Sequence, residues 1–252
     1  MIVDQPNGDR QIGGKLTMIA SPDLRPTPLT PEEYLAWEAK QEICHEYIDG
    51  EILAMTGSSI PHDDLGINLL GVLLPHIKSR GCRLNMSDVK VQAKGGDRYF
   101  YPDLVISCHP QDLSATQWIQ HPKVIIEVLS PSTANYDRSR KLRYYRQIPN
   151  LQEYLLINTD QILVEVYQRQ TADIWVYCDY GSDEIFHVPS LEFDCSVNEI
   201  YENINLEILP EESDINKDIS LFHQSRQKKN RMYSMNLANT LIDLAYQPCC
   251  KV

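Results

Sequence analysis

The sequence predicts an α/β domain, because strand-like and helix-like segments alternate along the chain. Two β-branched apolar runs, residues 103–107 (DLVIS) and 123–130 (KVIIEVLS), have the length of buried strands. The stretch 61–79 has the period of an amphipathic helix, with an apolar face made of Leu65, Leu69, Leu70, Leu73 and Ile77. With 252 residues, 42% of them hydrophobic, the chain can bury the core of one domain with extensions.

Local capping and turn signals predict the first elements. Residues 1–28 lack periodicity and are interpreted as a flexible arm. Thr30, followed by a proline and two glutamates, has the pattern of a helix start, and this helix is expected to run to about Lys40. Asp49-Gly50 and Gly95-Gly96 each separate two strand-like runs, which predicts two hairpins.

The second half of the chain continues with a helix over 137–147 and then three strands, EYLLIN, QILVEVYQRQ and ADIWVYCDY. A short helix near Val197–Asn203 is expected to close the core. Edge strands in this region could pair across a dimer, and we expect a homo-oligomer. Residues 210–252 are interpreted as a C-terminal extension, whose amphipathic helix would align Leu237, Leu241, Leu244 and Ala245.

Composition narrows the classes of function. No apolar run is long enough to cross a membrane, and the N-terminal residues lack the pattern of a signal peptide. The seven cysteines are scattered singly apart from Cys249-Cys250 and form no CxxC motif, which favours reduced thiols in a cytoplasmic protein. The net charge of −12 argues against a simple nucleic-acid binder, although a local basic patch can outweigh it. We therefore expect weak non-specific DNA binding and a site that requires a metal.

Each of the two apolar runs carries one carboxylate. Asp103 opens the first run and Glu127 lies inside the second, 24 residues later, a spacing that allows two adjacent strands. Buried carboxylates that meet in this way repel each other unless a metal ion or a proton is shared. Mg²⁺ prefers oxygen ligands of this kind. The alternative is that Asp103 is a turn residue after Pro102 and that Glu127 pairs with an arginine.

These residues also carry a resemblance to a known family. Pro102-Asp103 followed by Glu127-Val128-Leu129 resembles the PD-(D/E)xK nuclease signature, with Leu129 in place of the lysine. The stretches HEYIDGEILAMTG (45–57), SDVKV (87–91), EVLSPST (127–133) and EYLLIN (153–158) resemble the Uma-type family, which is grouped with restriction endonucleases. The resemblance covers residues 29–205 and implies a restriction-endonuclease-like domain over 29–209, with a central mixed β-sheet flanked by helices. It also implies Mg²⁺-dependent (or Mn²⁺-dependent) hydrolysis of DNA phosphodiesters.

The resemblance gives the acidic residues a role. Asp103 and Glu127 would hold the metal together with the carbonyl oxygen of Val128 and the carboxylate of Glu46. The metal would polarise the phosphate and lower the pKa of the attacking water. Read from the residues alone, Glu46 is more simply a surface residue of a strand.

A lysine on the following helix could replace the one that is missing at Leu129. Asp137, Lys141 and Tyr144 stand at positions i, i+4 and i+7, so a regular helix would place them on one face. Lys141 would then orient the attacking water or stabilise the developing negative charge. Asp137 and Tyr144 would position the lysine. The alternative is an exposed ion pair with an aromatic neighbour, worth tenths of a kcal/mol.

Other polar residues are candidates for supporting contacts. His62, in the first turn of the 61–79 helix, could contact phosphate or water, and Asp88 could face the site or cap a turn. The basic stretch RSRKLRYYR offers three candidate phosphate contacts, Arg138, Arg140 and Arg143. The alternative is a solvated helix face that partly neutralises the acidic site.

Two other functions compete with a DNA endonuclease. A degenerate nuclease fold could serve as a binding or assembly module, with the basic helix or the C-terminal extension as its working surface. A metal-dependent hydrolase of small phosphodiesters would suit the acidic net charge.

Overall fold

The computed structural model describes residues 28–55 and 57–206. The predicted arm, apart from Pro28, and the predicted C-terminal extension lie outside the described residues. Within the two described ranges, no helix is long and apolar enough to cross a membrane.

Thirteen strands are described, and they form three sheets. The strands are His45–Ile48 (β1), Glu51–Ala54 (β2), Arg83–Met86 (β3), Lys90–Ala93 (β4), Arg98–Phe100 (β5), Leu104–Ser107 (β6), Trp118–Ile119 (β7), Val124–Leu129 (β8), Glu153–Asn158 (β9), Leu163–Arg169 (β10), Trp175–Gly181 (β11), Ile185–Val188 (β12) and Phe193–Ser196 (β13). A five-stranded sheet has the order β2-β1-β5-β4-β7, and a six-stranded sheet has the order β11-β10-β9-β8-β6-β3. The third sheet is the hairpin of β12 and β13.

The helices among the described residues are Pro31–Glu38 (α1), Ile60–Ser79 (α2), Pro110–Leu113 (α3), Ala134–Tyr136 (α4), Leu142–Tyr145 (α5) and Val197–Ile200 (α6). A π-helical segment, Asp137–Lys141, joins α4 to α5. Two 3₁₀ turns lie at Lys94–Gly96 and Pro189–Leu191. The α1 start is the predicted one, since the Thr30 hydroxyl accepts from Glu33 N while Glu33 Oε2 accepts from Thr30 N.

Both large sheets are mixed, which confirms the predicted fold class. In the six-stranded sheet β8 and β9 are parallel, and in the five-stranded sheet β4 and β7 are parallel; the other pairs are antiparallel. The two predicted hairpins are present as β1-β2 and β4-β5. The strands are divided between two large sheets, whereas one central sheet was expected.

Side chains alternate between the two faces of β8 and so serve two cores. Ile126 and Val128 pack against the apolar face of α2. Ile125 and Leu129 face the other way, into a core that also receives side chains from the five-stranded sheet. This second core is called the inter-sheet core, and its buried members include Ile48, Val91, Phe100, Val105, Ile125, Leu129, Tyr145, Tyr154 and Leu156. Each fully buried aliphatic side chain contributes about 1.5–3 kcal/mol, so β8 ties the two layers together.

The prediction that the cysteines are reduced thiols is wrong for two of them. Cys82 and Cys108 form a disulfide, with their Cα atoms 4.3 Å apart. They flank the antiparallel pair Arg83↔Ser107, so the register of β3 and β6 brings them face to face. Sequence spacing could not show this, because the pairing depends on which two strands are neighbours.

Candidate active site

The site lies at one edge of the inter-sheet core, where a strand from each large sheet presents a carboxylate. Glu46 is on β1, on the same side of the strand as Ile48, and Glu127 is on β8 between Ile125 and Leu129. Both carboxylates therefore point into the layer between the sheets, and both residues are no more than 5% exposed. The π-helical segment supplies Asp137 and Lys141, and both are buried as well.

The ammonium of Lys141 lies among three carboxylates. Lys141 Nζ is 2.9 Å from Glu127 Oε1, 3.0 Å from Glu46 Oε1 and 3.7 Å from Asp137 Oδ1. Burial alone would lower the pKa of Lys141, but these carboxylates outweigh it and hold the pKa well above its usual value. Lys141 is therefore a fixed positive charge, and it links the two sheets through Glu46 and Glu127.

Glu127 and Asp137 are the most enclosed acids of the group. Burial raises the pKa of Glu127 well above the usual value, and the nearby charges of Asp103 and Asp137 act in the same direction against Lys141. The hydroxyl of Tyr145 donates to Glu127 Oε1 at 2.9 Å, the same oxygen that Lys141 contacts. This cluster of Glu46, Asp103, Glu127, Asp137, Lys141 and Tyr145 is called the lysine–carboxylate cluster below.

Asp103 joins the cluster through the backbone. Its Oδ2 accepts from Val128 N at 2.7 Å and lies 3.4 Å from His62 Nε2. The first contact fixes the beginning of β6 against β8, and the second brings the first turn of α2 to the site. Asp103 is more accessible than Glu127, because 18% of its side chain remains exposed.

The π-helical segment changes which tyrosine faces the cluster. A π turn holds one more residue than an α turn, so the side chain aligned with Asp137 and Lys141 is shifted by one position. Tyr145 therefore points toward the cluster with Asp137 and Lys141. The prediction that Tyr144 shares their face is wrong. Tyr144 instead stacks on Phe100 and lies under the guanidinium of Arg98, 4.1 Å from ring centroid to Cζ. Nothing in the letters RYYR distinguishes the two tyrosines before the π turn is known.

The remaining predicted residues lie outside the cluster. Arg138 binds buried Glu165 with two nitrogens and Asn158 with one, so its guanidinium serves an internal ion pair. Arg140 and Arg143 are exposed on the outer side of the helical segment. Asp88 is exposed in the turn between β3 and β4. A residue missed from the sequence is Tyr136, whose hydroxyl reaches Glu46 Oε2 at 3.4 Å.

The oxygen atoms available in the cluster decide whether a metal ion could bind there. Among residues 28–55 and 57–206, no group of three or more His, Cys, Asp or Glu side chains is placed to hold a metal ion. Both oxygens of Glu46 are engaged, by Lys141 and Tyr136, which leaves Asp103 and Glu127 as the candidate oxygen donors, with Asp103 bonded to the N–H of Val128 beside Glu127. Mg²⁺ commonly uses one or two protein carboxylates and fills its other positions with water or phosphate oxygens. Two carboxylates therefore fit Mg²⁺ and do not amount to a closed cage of protein ligands.

The mixed sheets and flanking helices give the protein a restriction-endonuclease-like α/β fold. The chain belongs to the Uma2 family, described as "Putative restriction endonuclease", whose model matches residues 31–198. It is 36% identical over 188 residues to "Uncharacterized protein slr1290" of Synechocystis sp., covering 74% of this chain and 99% of that protein. It is 38% identical over 150 residues to "Uncharacterized protein sll1609" of the same organism, covering 59% and 85%.

A solved structure shares the fold. The crystal structure of a "putative nuclease belonging to DUF820" from Anabaena variabilis superposes with a TM-score of 0.57 at 22% identity. The match covers 69% of this chain and 98% of that one, and at this identity it bears on the fold alone.

Proposed function

We propose that this protein is a Mg²⁺-dependent DNA endonuclease that hydrolyses phosphodiester bonds at the lysine–carboxylate cluster. The observation that carries the proposal is the contact of Lys141 Nζ with Glu127 Oε1 beside Asp103, in a chain of the Uma2 family. It puts a fixed cation and two buried or half-buried acids at one point of the inter-sheet core, the combination that phosphodiester hydrolysis uses.

Asp103 and Glu127 would hold the metal, with the carbonyl oxygen of Val128 as a further donor. Mg²⁺, or Mn²⁺ in its place, would polarise the phosphate and lower the pKa of the attacking water. Asp103 is suited to this role because its accessible side chain is anchored at only one oxygen by Val128 N. Glu127 is suited because Lys141 and Tyr145 both hold Oε1 and thereby fix the direction in which Oε2 points.

Lys141 would stabilise negative charge that develops on the phosphate or orient the attacking water. Its ammonium replaces the lysine that the nuclease signature carries at the position of Leu129, whose side chain is buried in the inter-sheet core. Glu46 and Asp137 hold the ammonium in place through contacts of 3.0 and 3.7 Å. His62, beside Asp103, would contact a phosphate oxygen or a water.

DNA would be bound with few phosphate contacts. Arg140 and Arg143 are exposed beside the site, whereas the ion pair with Glu165 occupies Arg138. The net charge of −12 limits non-specific attraction to the phosphate backbone. We propose that the metal supplies much of the positive charge that the substrate meets.

A specific observation favours a second function, a nuclease fold that serves as a binding module. Lys141 is already neutralised by three carboxylates, and the described residues contain no three-ligand metal group. A protein of this kind would bind DNA without cleaving it.

The test measures Mg²⁺ and Mn²⁺ binding by titration calorimetry and plasmid nicking on the same samples of wild type and variants. The variants are Asp103→Asn and Glu127→Gln, and the matched control is Glu153→Gln, which alters a buried carboxylate on β9 away from the cluster. We expect both site variants to lose metal binding and to nick plasmid at least about a hundredfold more slowly. The control should retain metal binding and nicking. Unchanged nicking in the site variants would refute the proposal, and binding of DNA without nicking by the wild type would favour the second function.

A further inference from the structure

A second group of buried polar side chains lies behind the lysine–carboxylate cluster. Glu38, His45 and Tyr101 are each no more than 6% exposed. Glu38 Oε1 accepts from His45 N at 2.8 Å and from the Tyr101 hydroxyl at 2.7 Å, while Glu38 Oε2 lies 3.0 Å from His45 Nδ1. Tyr34 completes the group by donating to His45 O at 2.6 Å.

The local position of Glu38 is unfavourable for a carboxylate. Glu38 is the last residue of α1, where the negative end of the helix dipole repels an anion, and the last turn contains no basic residue. It is also buried, which adds a desolvation cost. The bonds from His45 and Tyr101 offset these costs. The stability of α1 therefore does not explain why a buried glutamate stands at position 38. Its hydrogen-bond partners, His45 and Tyr101, do explain it.

Those partners lie where two strands separate. The register of β1 and β5 ends at Tyr47↔Tyr99, and two further residues of the same register would set His45 opposite Tyr101. Because the backbone ladder has ended there, the Glu38 carboxylate supplies the link between the two strands.

The two site carboxylates lie next to this link on opposite sides of it, Glu46 toward the paired part of β1 and β5 and Asp103 beyond it, just before β6. Glu46 follows His45, and Asp103 lies two residues after Tyr101 with buried Pro102 between them. Glu46 reaches Lys141 at 3.0 Å, and Asp103 reaches Val128 N at 2.7 Å. A change in the separation of the strands at Glu38 would thus alter the distance between the two acids.

We propose that Glu38 is a positioning residue that sets Glu46 and Asp103 relative to each other by joining His45 to Tyr101. Its effect on metal binding and cleavage rests on the proposed function, but its effect on the contact of Asp103 with Val128 does not. Residues that orient metal ligands in this indirect way typically change metal affinity or activity by about 10- to 100-fold when they are replaced.

The experiment follows the Val128 amide in the ¹⁵N-labelled full chain, alongside Mg²⁺ calorimetry. An amide that donates to a carboxylate has a downfield proton resonance, so Val128 reports the Asp103 bond directly and without metal. The variants are Glu38→Ala, Tyr101→Phe and Glu38→Gln. The matched control is Glu153→Ala, which removes a buried carboxylate that also accepts from a backbone N–H and a hydroxyl, both of Ser190.

We expect Glu38→Ala and Tyr101→Phe to move the Val128 resonance upfield and to weaken Mg²⁺ binding about tenfold or more. Glu38→Gln keeps an oxygen acceptor of the same shape and should restore most of both properties. Glu153→Ala should leave both at wild-type values even though it lowers the melting temperature. If Glu38→Ala does not fold, Tyr101→Phe, which removes a single hydroxyl, decides the question.

The outcomes separate this inference from the proposed function. An unmoved Val128 resonance in the folded variants overturns the inference, whatever happens to Mg²⁺ binding. A resonance that moves in a protein whose wild type binds no Mg²⁺ supports the positioning role and refutes the metal-dependent function.

Discussion

At the scale of single residues, the central feature is the imbalance of charge around Lys141. One ammonium is surrounded by Glu46, Glu127 and Asp137, with Asp103 close to Glu127. Burying the ammonium and the acids together is tolerable only while each charge has a partner. Burial, and after it the charges of Asp103 and Asp137, raise the pKa of Glu127, and the excess of negative charge would attract a divalent cation.

Lys141→Met should therefore destabilise the protein strongly. It leaves buried carboxylates without their cation, and the expected loss is about 3–5 kcal/mol in the free energy of unfolding. Lys94→Met is the matched control, because Lys94 is 46% exposed and its contact with Asp49 is a surface ion pair worth at most about 1 kcal/mol. Urea unfolding at pH 7 measures both. Equal losses in the two variants would contradict the central role given to Lys141.

The meeting of two acids at this cluster was predictable, because a carboxylate in a buried apolar run is costly unless a partner compensates it. Asp103 and Glu127 were found in this way, and Lys141 from its spacing to Asp137 and from the family resemblance. Glu38 was not predicted, since a glutamate near the end of a helix is ordinary in sequence. Its importance depends on partners 7 and 63 residues away along the chain.

At the scale of elements, the π turn at 137–141 decides which side chains reach the site. It lets Asp137, Lys141 and Tyr145 point the same way and turns Tyr144 toward Arg98 and Phe100. A regular helix was the natural prediction for this segment, because helical periodicity in a sequence assumes one fixed number of residues per turn. The π turn is therefore a feature of tertiary packing that the sequence pattern did not signal.

Removing the two tyrosine hydroxyls in turn tests this arrangement. Tyr145→Phe deletes the bond to Glu127 and should cost about 1.5–3 kcal/mol, the range for hydrogen bonds to charged groups. Tyr144→Phe keeps the ring that stacks on Phe100 and Arg98 and should change stability by less than about 0.5 kcal/mol. Thermal unfolding of the two variants distinguishes them. The reverse order would mean that the helix is regular.

The disulfide that joins the chain beside β3 to the chain beside β6 contributes separately to the stability of the fold. It closes a loop with a sequence separation of 26, for which loop-closure entropy gives about 3.5 kcal/mol of stabilisation. The Cys82→Ser, Cys108→Ser double variant should lose about that much, and so should the wild type under dithiothreitol. As an internal control, dithiothreitol should have no further effect on the double variant. Identical melting of the wild type with and without reductant would show that the bond does not stabilise the fold.

At the scale of the whole molecule, local signals predicted the elements well and their assembly less well. The capping residues at Thr30 and the turns at Asp49-Gly50 and Gly95-Gly96 act within a few residues, so the sequence displays them. The division into two large sheets depends on contacts between distant strands. For example, β9 lies parallel to β8 because the helical segment between them crosses back over the sheet.

The exposed arginines determine the last prediction, which concerns the dependence of DNA binding on salt. Each phosphate contact adds about 0.9 to the slope of log K against log salt concentration for duplex DNA. With Ca²⁺ in place of Mg²⁺ to suppress cleavage, the Arg140→Gln, Arg143→Gln double variant should have a slope smaller in magnitude by about 2. Arg138→Gln is the control. The guanidinium of Arg138 is committed to Glu165, so its loss should affect stability and not the slope.

If Arg138→Gln changed the slope as much as the loss of one exposed arginine, the ion pair with Glu165 would have to open on DNA binding. If no variant changed it, DNA would approach the protein from another side than the outer face of this helix.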